Sequence, residues 1–237
     1  MKNMRKLVCL FSLLSLWMAT SVSAQSLKKQ EATMEDYLPL LQAAGYQIYS
    51  FDVSEFLDDT YHFSFKIKEY VNREEVQRDG HSSVFRNRMM IAEFPEESQK
   101  RILEEGKADD PEKGVYMHAK KMTIGFMPSN VDSLKNIRIE VEGMGEYRKG
   151  LNLKPLKDPQ SDNLFYGYES RPFTFDKFEE GKFIPLVFFA SYWVDELGGF
   201  LRFCGAMKIS PGMESDYIEN TPHYYVIGVE INKKKKE

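Results

Sequence analysis

Between Phe183 and Val194 the chain is apolar on both parities, and no other segment restricts the fold so tightly. In an extended chain Ile184, Leu186, Phe188, Ala190, Tyr192 and Val194 point one way, and Phe183, Val187, Phe189 and Trp193 the other. A strand that is apolar on both faces has to be dry on both faces, so it belongs at the centre of a covered sheet. Asp195-Glu196-Leu197-Gly198-Gly199 turns the chain, and Phe200 to Lys208 is expected to return beside it.

A second strand carries the opposite pattern. Tyr61, Phe63, Phe65 and Ile67 alternate with His62, Ser64, Lys66 and Lys68, the two-residue period of an antiparallel strand with one wet face. The Asp79-Gly80 turn signal leads into Ser82 to Phe94, which reads as its hairpin partner. Further strands are expected at 115–127, 136–142, 146–153, 164–168, 172–176 and 223–232. Helical spacing is confined to two places. Residues 34 to 44 follow a Thr33/Asp36 capping signal and stop at Gly45, and residues 95 to 105 start at Pro95, place Ile102 and Leu103 inside and stop at Gly106. The 17 Phe and 13 Tyr favour pleated, half-buried surfaces. The expected fold is therefore mainly β, an antiparallel β-sandwich with one or two short helices, with a closed β-barrel as the alternative. One β-rich domain is expected over 25–237, and the loop Pro155 to Asn163 is where it would divide if there were two.

The first 24 residues read as an export signal. Lys2, Arg5 and Lys6 precede an apolar run from Leu7 to Met18, and Val22-Ser23-Ala24 fits a cleavage site after Ala24. The run is too short for the roughly 20 residues that span a bilayer, and no transmembrane segment follows it. Cys9 sits inside the apolar run rather than at the cleavage point, so a lipid anchor is not expected. Cleavage leaves Cys204 as the only cysteine, so no internal disulfide can form and stability rests on packing. Cleavage also removes three basic residues and no acid, shifting the formal net charge from −4 to −7. A phosphate-binding surface wants the opposite sign, so nucleic acid is not an expected partner.

No G-x-S-x-G, H-E-x-x-H, P-loop or G-x-G-x-x-G motif is present, and no cofactor is expected. Cys204 with His223 could form a thiolate and its base, but a lone Cys in an apolar stretch reads first as a core residue. The acidic run Asp52, Glu55, Asp58 and Asp59 lacks a calcium-loop pattern, and His62, His81, His118 and His223 share no ligand spacing, so no metal site is expected. The candidate ligand contact is Ser191, Trp193 and Asp195. These three share a parity at the end of the apolar strand, about 6–7 Å apart in succession, and offer an aromatic platform between a hydroxyl and a carboxylate. The competing reading of Trp193 is a core anchor.

The Ser23-Ala24-Gln25 junction, the short helix, the aromatic run Phe183 to Phe189 and the Lys233 to Lys236 tail resemble small secreted proteins of gut Bacteroidota. That resemblance implies a periplasmic or surface-associated β-domain and carries no site residues. The expected role is a non-catalytic binding or interaction module of the cell envelope, its partner a protein, peptide or glycan. A hydrolase using a carboxylate pair drawn from Asp52, Glu55 and Asp195, or a structural component of the envelope, are the alternatives. The exported form is expected to begin at Gln25 without lipid. Intact mass decides this, and a diacylglycerol adduct or a retained leader would overturn it.

Overall fold

A computed structural model describes residues 29–76, 83–161, 163–174, 178–195, 199–203, 205–213 and 216–234. The expectations for the leader, the Asp79-Gly80 turn, His81, Cys204 and Lys235-Lys236 lie outside these residues. The chain divides into two compact units, Met1–Leu38 and Pro39–Glu237. Helix α1 (Met34–Ala43) runs across that division. Asp36 Oδ2 accepts the Thr33 N–H at 2.7 Å and the Thr33 hydroxyl at 3.1 Å, and Gly45 takes the left-handed conformation that ends the helix. Its apolar stripe is bare, with Met34, Tyr37, Leu38 and Leu41 all exposed.

The fold is mainly β and antiparallel, with two open sheets packed face to face, neither closed into a barrel. The smaller sheet takes the order β1 (Gln47–Asp52), β7 (Lys121–Met127), β8 (Leu134–Val141), β9 (Gly145–Asn152). The larger has the order β12 (Tyr168–Pro172), β13 (Phe183–Ser191), β16 (His223–Lys233), β2 (Tyr61–Val71). The free side of β2 is shared by β3 (Glu74–Val76), paired along Glu69 to Val71, and β4 (Ser83–Arg86), paired along His62 to Phe65. Between the sheets, Ile124, Phe126, Ile137 and Ile139 meet Phe63, Phe65, Phe189 and Ile227. The rings of Phe126 and Phe189 stack across the gap with centroids 4.8 Å apart. This core draws on residues both before Pro155 and after Asn163.

The doubly apolar run is central and covered on both sides, and the cover differs between them. Towards the second sheet lie Leu186, Val187 and Phe189, while Phe188 and Ala190 pack with Tyr224 and Val226 under Phe173, Ile209 and Ile218. That second cover consists of loops and the single turn α3 (Asp216–Glu219). The strict alternation expected of this strand is broken by a bulge between Pro185 and Val187, which puts Leu186 with Val187 rather than with Phe188. Gly228 lies opposite the bulge, where a Cβ would clash with the Ile184 carbonyl oxygen.

Several expectations shift. The strand expected at 82–94 is β4, then β5 (Arg88–Met90) paired with β6 (Val115–His118), then a 3-10 turn at Ile91–Glu93. The break falls at Asn87, which is fully buried. Its Oδ1 accepts the Tyr61 N–H at 2.8 Å, and its amide NH2 donates to the Phe56 and Asp59 carbonyls. The strand expected at 172–176 is β12, which ends at Pro172. The return strand after the turn shrinks to β15 (Leu201–Arg202), paired with β14 (Trp193–Val194). In α2 (Glu96–Glu104) Ile102 is buried, but Leu103 is exposed, because adjacent helical positions lie about 100° apart and only one can face the core. No described helix is long and apolar enough to cross a membrane.

Asn87→Ala strands one buried N–H and two carbonyls at the junction of three segments. The expected loss is about 3 kcal/mol in chemical denaturation, and an unchanged midpoint would overturn this account of the break.

Candidate functional site

The alternation of β2 continues past Ile67, and the next residue on the core-facing parity is Glu69, a carboxylate only 5 % exposed. A buried charge of this kind needs a partner. The register supplies one. Glu69 lies opposite Tyr225 of β16, and His223, two residues before it, shares that face and is 1 % exposed. His223 Nε2 sits 3.2 Å from Glu69 Oε1. On the other ring nitrogen, Nδ1 is hydrogen-bonded to the hydroxyl of Tyr168, which in turn accepts the Lys154 N–H at 2.9 Å.

Across the sheet these residues form a row. Tyr168 pairs with Ser191, His223 pairs with Val71, and the pairing of Ala190 with Tyr224 sets Ser191 beside His223. The next row inward is stitched in the same way, since Ser170 bonds Tyr49 Oη at 2.8 Å and Gln47 Oε1 across the sandwich, and Tyr225 Oη donates to the Asn152 carbonyl at 2.8 Å. One end of the core therefore trades apolar packing for a polar network.

Proton positions follow from the partners. A carboxylate can only accept, so Nε2 carries the hydrogen aimed at Glu69, and in the neutral imidazole Nδ1 then accepts the Tyr168 hydrogen. Burial holds the Tyr168 phenol well above its ordinary value, the Lys154 N–H working against that and the Glu69 charge adding to it. The phenol stays protonated and donating at neutral pH.

Ser191 is the exception. It is 3 % exposed, and its Oγ has no hydrogen-bond partner among the described residues. It lines a cavity of about 220 Å³ with buried His223 at its floor, the walls including Val71, Leu156 and Pro222 and the exposed mouth carrying Asn72 and Lys154. Asn72 and Arg73 form the two-residue turn from β2 to β3, both at positive φ, a hairpin geometry that does not depend on the Asn-Gly pair usual there. Arg73 is held by Glu219 at 3.1 Å.

Chemically the set Ser191, His223 and Glu69 contains the residue types of a hydrolytic triad, but the bonds are different. A serine nucleophile needs an imidazole nitrogen to take its proton. Here one nitrogen meets Glu69 and the other Tyr168. The arrangement is a fixed polar wall beside an unsatisfied hydroxyl.

Of the three residues singled out from sequence, only Ser191 lines this cavity. The strand β13 ends there, and Trp193 belongs to the β14–β15 ribbon, half-buried and in register with Arg202. Asp195 is ion-paired with Arg202 at 2.5 Å. Three acids of the acidic run are engaged by neighbouring groups. Asp52 accepts the Ser54 N–H, Asp58 accepts the Tyr61 hydroxyl, and Asp59 pairs with Lys233 at 2.8 Å and Arg88 at 3.5 Å. Among the described residues no three His, Cys, Asp or Glu side chains gather into a metal-ligand set. Glu69 and Tyr168 escaped the sequence reading, although a carboxylate on the apolar parity of β2 was the available signal.

Residues 16–233 match a family model described as a domain of unknown function (DUF5041), and the chain belongs to that family. No curated protein and no solved structure matches it.

The two kinds of buried polar group should respond to mutation with opposite sign. Glu69→Ala or His223→Ala leaves the other partner stranded and should cost roughly 3–5 kcal/mol, with strong coupling in the double mutant. Ser191→Ala removes an unsatisfied hydroxyl and should raise stability by about 1 kcal/mol. A lowered denaturation midpoint for Ser191→Ala would show that the hydroxyl has a partner in solution.

Proposed function

We propose that this chain is an exported, non-catalytic binding module of the cell envelope, with its ligand contact at the Ser191 end of β13. The observation that carries the reading is Ser191, which lines a cavity and whose buried hydroxyl has no partner among the described residues. A buried donor left unmet costs the fold about 1–3 kcal/mol, and a bound ligand that meets it recovers that cost. Fixed neighbours favour binding over chemistry, because His223 is committed on both nitrogens and cannot act as a base without breaking a buried bond. Trp193 and Asp195 follow directly in the chain and are proposed as the flanking part of the contact. Export rests on the basic, apolar and small-residue pattern of residues 1–24.

Trp193 is the only tryptophan after Ala24, so its emission reports on this end of the molecule. Titration of the exported form with peptides and oligosaccharides, followed by tryptophan emission and by mass analysis of the ligand, is expected to show saturable binding of an unaltered ligand that Ser191→Val abolishes. Cleavage of any of these ligands, lost in the same variant, would make the protein an enzyme and overturn the reading.

A further inference from the structure

We infer that the Ser191 cavity receives a carboxylate group carried on a small aliphatic body, either a free acid or the C-terminal residue of a peptide. This rests on the binding reading above and names the ligand class. The first argument is the hydroxyl. Ser191 has a hydrogen to give and no acceptor among the described residues, and an anionic oxygen is the strongest acceptor a ligand could bring.

Charge is the second. Lys154 is the formal cation of the lining, and no carboxylate lines the cavity with it. Lys154 makes no ion pair among the described residues, in contrast to Lys66, Lys68, Lys107, Lys113, Lys182 and Lys233. Its backbone is anchored by the bond to Tyr168, and the residue is exposed where it lines the cavity. The opposing charge nearby is Glu69, which is not part of the lining and is engaged by His223 Nε2.

Shape is the third. Val71, Leu156, Pro155 and Pro222 make apolar walls, and the two prolines offer no N–H to a polar ligand body. A dry cavity of about 150 Å³ takes benzene, so about 220 Å³ takes a branched aliphatic group together with its carboxylate. A sugar ring, with hydroxyls all round, would leave most of them against these walls.

The test is a titration of the exported form, observed by amide NMR shifts, with isovalerate, the isosteric neutral 3-methylbutan-1-ol, a short peptide ending in Val-Leu with a free carboxylate, the same peptide amidated, and maltose. Both acids are expected to shift the amides of Ser191, His223 and Lys154. The alcohol and the amide should bind at least about tenfold more weakly, the value of a lost charge-assisted hydrogen bond. Ser191→Ala should weaken the acids by a similar factor, and Lys154→Met by about three- to fivefold, the scale of an exposed ion pair, without affecting the alcohol. A free acid that binds while the peptide does not identifies the source as a metabolite, and the reverse identifies a chain terminus. Equal binding of acid and alcohol, or of maltose alone, would overturn the carboxylate inference and leave the cavity a binding site. If none of the five shifts these amides, both the inference and the proposed function fall.

Discussion

The pairing of β13 with β16, two strands apolar on both faces, is the constraint to which the rest of the molecule answers. Phe188 and Val226 face one way and Phe189 and Ile227 the other, and neither face can be left to water. One face is met by a regular partner, the β1-β7-β8-β9 sheet, whose Ile124, Phe126, Ile137 and Ile139 fill the sandwich. Irregular segments carrying Phe173, Ile209 and Ile218 close the other. The two covers solve the same problem with different means, since a sheet needs a long alternating sequence and a loop needs only a few well-placed anchors.

At one end of this dry layer the chain installs Glu69, His223, Tyr168 and Ser191. A buried pair such as Glu69 with His223 is weak evidence for stability, because desolvating both groups consumes most of their attraction. Its physical consequence lies in register. A one-residue slip of β2 against β16 would carry Glu69 to the opposite face, away from His223 and into the apolar packing around Tyr224. The network therefore penalises misregistered pairings of β2 with β16, and it fixes the His223 ring through both nitrogens. Rigidity matters for the proposed Ser191 site, because a preorganised wall would let a small ligand bind without ordering anything first.

The apolar stripe of α1 shows where periodicity stops being informative. Met34, Tyr37, Leu38 and Leu41 repeat at helical spacing and the cap forms as its residues require, yet the helix buries no side chain. Local chemistry determines that a helix forms and which face is apolar, while burial depends on another surface being present to receive that face.

Much of the architecture was legible in the sequence because side-chain periodicity is a backbone property. The alternation of Tyr61 to Lys68 and of Ile137 to Val141, the double parity of Phe183 to Ser191 and the stops at Gly45 and Gly106 all report φ, ψ and the two faces of a strand, which each segment carries in itself. The site was legible only in part. Ser191 stood out as a polar residue at the end of an apolar run, but its neighbours Glu69, Tyr168 and His223 are 122, 23 and 32 positions away in the chain. What joined them was the register of four strands, and register is set mainly by the summed packing of both cores, to which the site's own buried pair adds only a penalty against slippage. The break at Asn87 and the bulge at Pro185 have the same origin, since each depends on a partner that only the folded chain brings within reach.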